Sequence, residues 1–315
     1  MNGRGWVSQR VLRGVALASV VANVAIVVTG GAVRLTGSGL GCPTWPRCTD
    51  SSYVTTSAVG VHGLIEFTNR SLTGVLSVVV IAGLVAALLA RPRRRRVVGF
   101  ATLTLLGIPA QIVLGGITVL THLNPWAVAG HFLLSMAVIA AAYAFWRATR
   151  EGDGPPRALV PVPLRALAGS VVAAVAAVVV VGTVVTGSGP HAGDQNARRT
   201  GLDPAAVAQV HADLVFLVIG LAVAGWLALL AAGARPAARR AGWLVAVVLG
   251  QGLIGFVQYA TGLPAILVGA HLLGACLVWL AALSLWSATR TRDPLTRSAT
   301  VEQPLERATV GSSPH

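Results

Sequence analysis

Eight apolar stretches, at about 14–33, 64–90, 97–120, 127–146, 167–187, 207–232, 242–261 and 265–287, constrain this chain more than any other feature. A helix that crosses a bilayer needs roughly 20 apolar residues, and each stretch meets that length. Composition agrees: 55% of the 315 residues are hydrophobic and 11% charged, more apolar surface than one water-exposed domain can bury. The first stretch follows Arg4, Arg10 and Arg13, as in a signal peptide. Its Ala16-Leu17-Ala18 triplet comes before the apolar run rather than after it, so it reads as an uncleaved span. The expected fold class is all-α and integral to the membrane, with eight transmembrane helices.

The charge pattern sets the expected orientation. All 24 basic residues are arginine, and the formal net charge is +14. They are not interleaved with aromatics as on a nucleic-acid-binding surface; they gather at alternate ends of the spans. Arg4, Arg10 and Arg13, Arg91 and Arg93 to Arg96, Arg147 to Arg165, Arg235 to Arg240, and Arg290 to Arg307 fall on one side. Only Arg34, Arg47, Arg198 and Arg199 fall on the other, with Arg70 at a span border. By the positive-inside rule both termini are cytoplasmic and the protein sits in the cell membrane.

Displacing the chain by 140 residues lays Gln111–His131 over Gln251–His271, with Gly115 on Gly255, Thr121 on Thr261, Leu123 on Leu263 and Val128 on Val268. At 150 residues, T-G-S-G at 36–39 lies over T-G-S-G at 186–189. The chain is expected to be two tandem-repeated four-helix bundles of like orientation: an N-terminal half at 1–150, a proline-rich cytoplasmic linker at 151–166, and a C-terminal half at 167–288. A polar tail at 289–315 is expected to be disordered.

The repeat keeps a histidine at the outer end of its fourth span, His131 and His271, and the sixth span adds His211 at a similar depth. Each alone reads equally as a hydrogen-bonded border residue. As a pair on separate helices, His211 and His271 suit axial ligation of a low-spin haem; zinc would want a thiol or carboxylate beside them. Counted from the membrane border, the second span has Asn69 where the sixth has His211, and His62 lies about 10 Å further out at 1.5 Å per residue. His62, Glu66 and Asn69 share a helical face. Glu66 reads either as a salt-bridge partner of Arg70 or as a carboxylate beside a pocket that moves protons or stabilises positive charge. Arg70 reads alternatively as a partner for a haem propionate. Cys42 and Cys48 lie in an outer loop, where a disulfide is favoured, as a staple or with a redox or gating role. Cys276 fills core space. His191 reads as a loop residue, and Arg198 and Arg199 as cations that face propionates.

These motifs together carry a family resemblance. The entrance T-G-G-A-V-R-L-T-G-S-G-L-G-C-P-T-W-P-x-C, the E-F-x-N-R element, Q-x-x-L-G-G-x-T-V-L-x-x-L-N-P-W-x-V-x-x-H-F, V-T-G-S-G-P-H-A-G-D and the closing Q-x-x-x-G-x-x-Q-Y and H-L-x-G-A resemble those of haem A synthases. The resemblance implies a haem b cofactor held by His211 and His271. It implies a haem O substrate in the first half near His131, Asn69, Arg70 and His62, with Glu66 at the site of chemistry and Cys42 and Cys48 as an outer-loop disulfide. It further implies oxidation of a porphyrin methyl group through an alcohol and a geminal diol to the formyl group of haem A, with haem O synthase and an electron donor as partners. Asn69 departs from the pattern, since many relatives have histidine there; His131 then acts alone, or His62 approaches from above. A non-catalytic di-haem electron-transfer cytochrome and a transporter with repeated halves are the competing classes. The first would want similar ligands in both halves, and the second broken, charged mid-helices.

Overall fold

The computed structural model describes residues 7–293. Eight long helices dominate it: α1 (Gln9–Leu35), α2 (Gly60–Leu89), α3 (Arg95–Leu120), α4 (Pro125–Ala148), α5 (Val162–Ser188), α6 (Pro204–Ala231), α7 (Arg235–Ala260) and α8 (Ala265–Ala288). All eight are long and apolar enough to cross a membrane. In hydrocarbon every backbone N–H and C=O must find its partner within the chain, which helices achieve alone. The side chains turned outward confirm the solvent: Val78, Phe216, Phe256 and Ile266 are 68–82% exposed, a surface water would not tolerate.

The helices start and stop where polar caps allow. Ser8 accepts from Val11 N–H at the head of α1. Asn124 and Asp203 cap α4 and α6, each followed by a proline in the first turn, where the missing N–H costs nothing. The helices therefore extend past the apolar stretches. α7 begins at Arg235 rather than near 242, because the polar turn that apolarity excludes is still a sound helix former.

The first four helices pack as α1 on α2 and α4, α2 on α3, and α3 on α4; α5 to α8 repeat these pairings. The seam between the two sets is made by α1 with α8, α4 with α5 and α4 with α8. There Val27, Met136, Ile139 and the free Cys276 are buried together. Trp279 Nε1 donates to the Met136 carbonyl at 2.9 Å, and Tyr143 and Ser287 share a hydroxyl contact of 2.9 Å. Gly31 of α1 is pressed so closely against Leu272 of α8 that a side chain there would displace the leucine's end.

The two ends of the bundle differ. At the arginine-rich end, Glu151 receives Arg147 at 2.6 Å and Arg96 at 3.6 Å, and Asp153 receives Arg94 at 3.0 Å. The proline-rich linker is not a free joint. Its strand β1 (Pro156–Ala158) pairs antiparallel with β2 (Arg290–Arg292), and α5 starts already at Val162. Residues 290–292, within the expected tail, are a strand instead: extended, proline-flanked backbone in the linker offers an edge, and they complete it. The remainder of that tail, from 294, and residues 1–6 lie outside the described residues. At the opposite end the connections of the two sets meet, with Gly39 N–H on the Gly193 carbonyl at 2.8 Å.

Candidate functional site

His211 on α6 and His271 on α8 face one another, ring centroids 6.4 Å apart and planes 60° apart. A metal–imidazole bond is about 2 Å, and the nitrogen sits roughly 1.1 Å from its ring centre, so two imidazoles on opposite sides of one iron have centroids about 6.2 Å apart. The spacing therefore fits a single metal between the rings. Nδ1 of both rings is buried without a close acceptor, and the Val178 backbone of α5 lies near the His211 ring. Neighbouring glycines make room: a Cβ at Gly182 or Gly255 would come within 3.1 Å of Cε1 of His211 or His271. Gln251 Nε2 donates to the His271 carbonyl at 2.7 Å, fixing the α7–α8 register one helix away from the ring.

The first half has the same frame with one piece changed. Gln111 Nε2 donates to the His131 carbonyl at 3.3 Å and to Ser135 Oγ at 2.7 Å. A Cβ at Gly115 would lie 3.2 Å from His131 Cε1, and His131 Nδ1 is also buried and unpartnered. The fourth position is Asn69, whose Nδ2 would lie 3.9 Å from a Cβ at Gly30, with Oδ1 accepting from Thr29 Oγ1 at 2.8 Å. His62 is exposed, and its Nδ1 is paired with Ser38 Oγ at 2.9 Å, so that nitrogen belongs to the outer loop and not to a position beside Asn69.

Glu66 is buried beneath the disulfide loop. Cys42 and Cys48 are bonded, and Cys42 N–H donates to Glu66 Oε2 at 2.8 Å. Arg70 binds Glu66 Oε1 through Nε at 3.1 Å and Nη2 at 2.6 Å. Its remaining N–H groups go to the carbonyls of Cys42, Thr44 and Arg47 at 3.1–3.3 Å. Arg70 thus ties α2 to the loop, and its donors are all occupied there. Arg198 is exposed, and Arg199 holds the Pro190 and Ala197 carbonyls at 2.8 Å. His191 Nε2 is paired with the Leu263 carbonyl at 2.9 Å.

Residues 13–193 match the model of the COX15-CtaA family, described as cytochrome oxidase assembly protein. The chain belongs to this family. Its curated relatives include heme A synthases of Listeria welshimeri, 35% identical over 118 residues, and Lysinibacillus sphaericus, 33% identical over 135 residues. The first match covers 37% of this chain and 38% of the relative, the second 42% and 43%. The chain therefore spans about two fifths of the length of the curated relatives it matches. The family match ends at 193, ahead of both His211 and His271.

Reading the sequence did not single out Thr29, or the glycines that stand opposite each candidate ligand position. Gly30, Gly115, Gly182 and Gly255 occupy α1, α3, α5 and α7, each facing the following helix. Gly115 and Gly255 coincide in the 140-residue repeat; Gly30 and Gly182, 152 apart, fall outside both offsets and left no such signal.

Proposed function

We propose that this assembly-family member is a haem A synthase of the cell membrane, built as two repeated four-helix halves with its termini on the cytoplasmic, arginine-rich side. The observation that carries the reading is the His211–His271 pair, spaced for one iron, in a chain whose relatives are heme A synthases. In this reading the C-terminal half holds haem b between His211 and His271, and the N-terminal half takes haem O near His131 and Asn69. Haem b, when bound, supplies one-electron transfer.

The methyl carbon of the substrate becomes an alcohol and then a geminal diol, each step removing two electrons and two protons and adding the oxygen of one water molecule; loss of water leaves the formyl group. A methyl C–H is not acidic, so electrons leave before the proton does. Glu66 would stabilise the resulting positive charge or take the proton at a carboxylate oxygen. Cys42 N–H and Arg70 fix the orientation of that carboxylate. The electrons pass to a separate acceptor, so the redox partner in this reading is an acceptor and not the electron donor that the resemblance implies, and haem O synthase is the natural source of substrate. A di-haem electron carrier would want the same ligand pair in each half; Asn69, held by Thr29, breaks that symmetry.

The test is expression with a haem O source followed by pigment extraction. Haem A is expected from the wild type. Glu66→Gln should keep the low-spin haem of the distant pair while conversion falls by about 10²–10⁴-fold, with haem O or the alcohol accumulating. Absence of haem A from wild-type protein loaded with haem b would sink the synthase reading, and normal haem A from Glu66→Gln would return Glu66 to a purely structural clasp.

A further inference from the structure

The end of the bundle that carries the disulfide holds an arginine without a counter-charge. Arg34, in the last turn of α1, is half-buried where α1, α5 and the 189–203 connection meet. Its Nη2 donates to the Thr186 carbonyl at 2.6 Å, while Nε is buried with no acceptor. The charged side chain that acts on it is Arg199, of the same sign. Neither guanidinium has a carboxylate within ion-pair distance among the described residues. Asp194 has an oxygen on Asn196 N–H at 2.8 Å. Gly193, at φ 97°, lets the loop lie on Arg34, since a Cβ there would be 3.6 Å from Arg34 Cγ.

Two like charges partly withdrawn from water, with donors unfilled, are unfavourable unless an anion joins them. The guanidinium fork matches a carboxylate or a phosphate. Position favours one source. α1 runs beside α8, with Gly31 against Leu272 and Leu35 Cδ1 3.5 Å from a Cβ at Gly269, on either side of His271. Arg34 lies between those two contacts along α1, in its last turn. We infer that Arg34 and Arg199 form a seat for the carboxylates of the porphyrin whose iron His211 and His271 hold. The first half then contributes a residue to the haem of the second. This inference rests on the bis-histidine reading above.

The experiment loads the full-length protein with haem b or with its dimethyl ester and follows transfer to apomyoglobin, the low-spin spectrum and the midpoint potential. In the wild type the ester should leave roughly 10- to 100-fold faster than the free acid, as loss of a charge-assisted bond implies. Arg34→Gln, and to a lesser degree Arg199→Gln, should speed loss of the free acid similarly and add little for the ester. The potential should fall in Arg34→Gln, because removing a positive charge favours the ferric state. Equal acceleration of acid and ester by Arg34→Gln would mean a merely structural role and overturn the seat. So would unchanged haem loss and potential, or loss of a bound anionic phospholipid with the haem unaffected. Wild-type protein without low-spin haem would overturn the histidine reading and the seat with it.

Discussion

At the scale of single residues, the glycines opposite the candidate ligands make the sharpest demands. A Cβ 3.1 Å from an imidazole carbon forces the ring to move by a few tenths of an ångström, and an axial ligand tolerates little displacement. Gly182→Ala and Gly255→Ala are therefore expected to weaken the low-spin haem spectrum or convert it to high spin. Gly74→Ala, with open space around it, should leave it intact. His211→Ala or His271→Ala should abolish the spectrum, and His191→Ala should not; visible absorption of the purified protein decides all six. The histidines were legible in sequence because an ionisable side chain at a span border is expensive and therefore conspicuous. Thr29 was not, because a threonine in a helix announces no partner, and its bond to Asn69 joins residues 40 apart.

At the scale of elements, the disulfide loop is held to α2 by one carboxylate and one guanidinium. The loop closed by Cys42 and Cys48 is short, so its chain-entropy contribution is about 2 kcal/mol. Cys42→Ser with Cys48→Ser is expected to lower stability by no more than that. Conversion should suffer more, because the Cys42 N–H that orients Glu66 loses its fixed position. Thermal unfolding and haem A yield, measured on the same preparation, separate the two effects. The eight helices were legible from apolar length, and their ends were not. Capping by Ser8, Asn124 and Asp203 lies in polar turns that a hydropathy argument discards. The pairing of β1 with β2 was hidden for another reason: it joins segments over 130 residues apart, and three-residue strands have no periodicity to detect.

At the scale of the whole molecule, the arginine-rich end ties the linker to α3 and α4 on one side and to the segment after α8 on the other. Glu151 is 14% exposed and meets Arg147 and Arg96, whereas the Arg157–Asp293 pair is 65–70% exposed. Glu151→Gln should lower stability by about 1–2 kcal/mol, while Arg157→Ala should stay within about 0.5 kcal/mol, as read by thermal unfolding in detergent. Helix α8 is the other shared piece, touching α1, α4, α5 and α7, and this bears on the order of events at the ribosome. His211 and His271 are sixty residues apart in the chain, an interval of about 3–12 s at roughly 5–20 residues per second. During that interval the rest of α6 and all of α7 are made, and His211 waits for its partner. On the proposed reading, capture of the second half's pigment is thereby timed to the arrival of the helix that also packs across the seam, and a product halted before α8 lacks the low-spin spectrum of that pair.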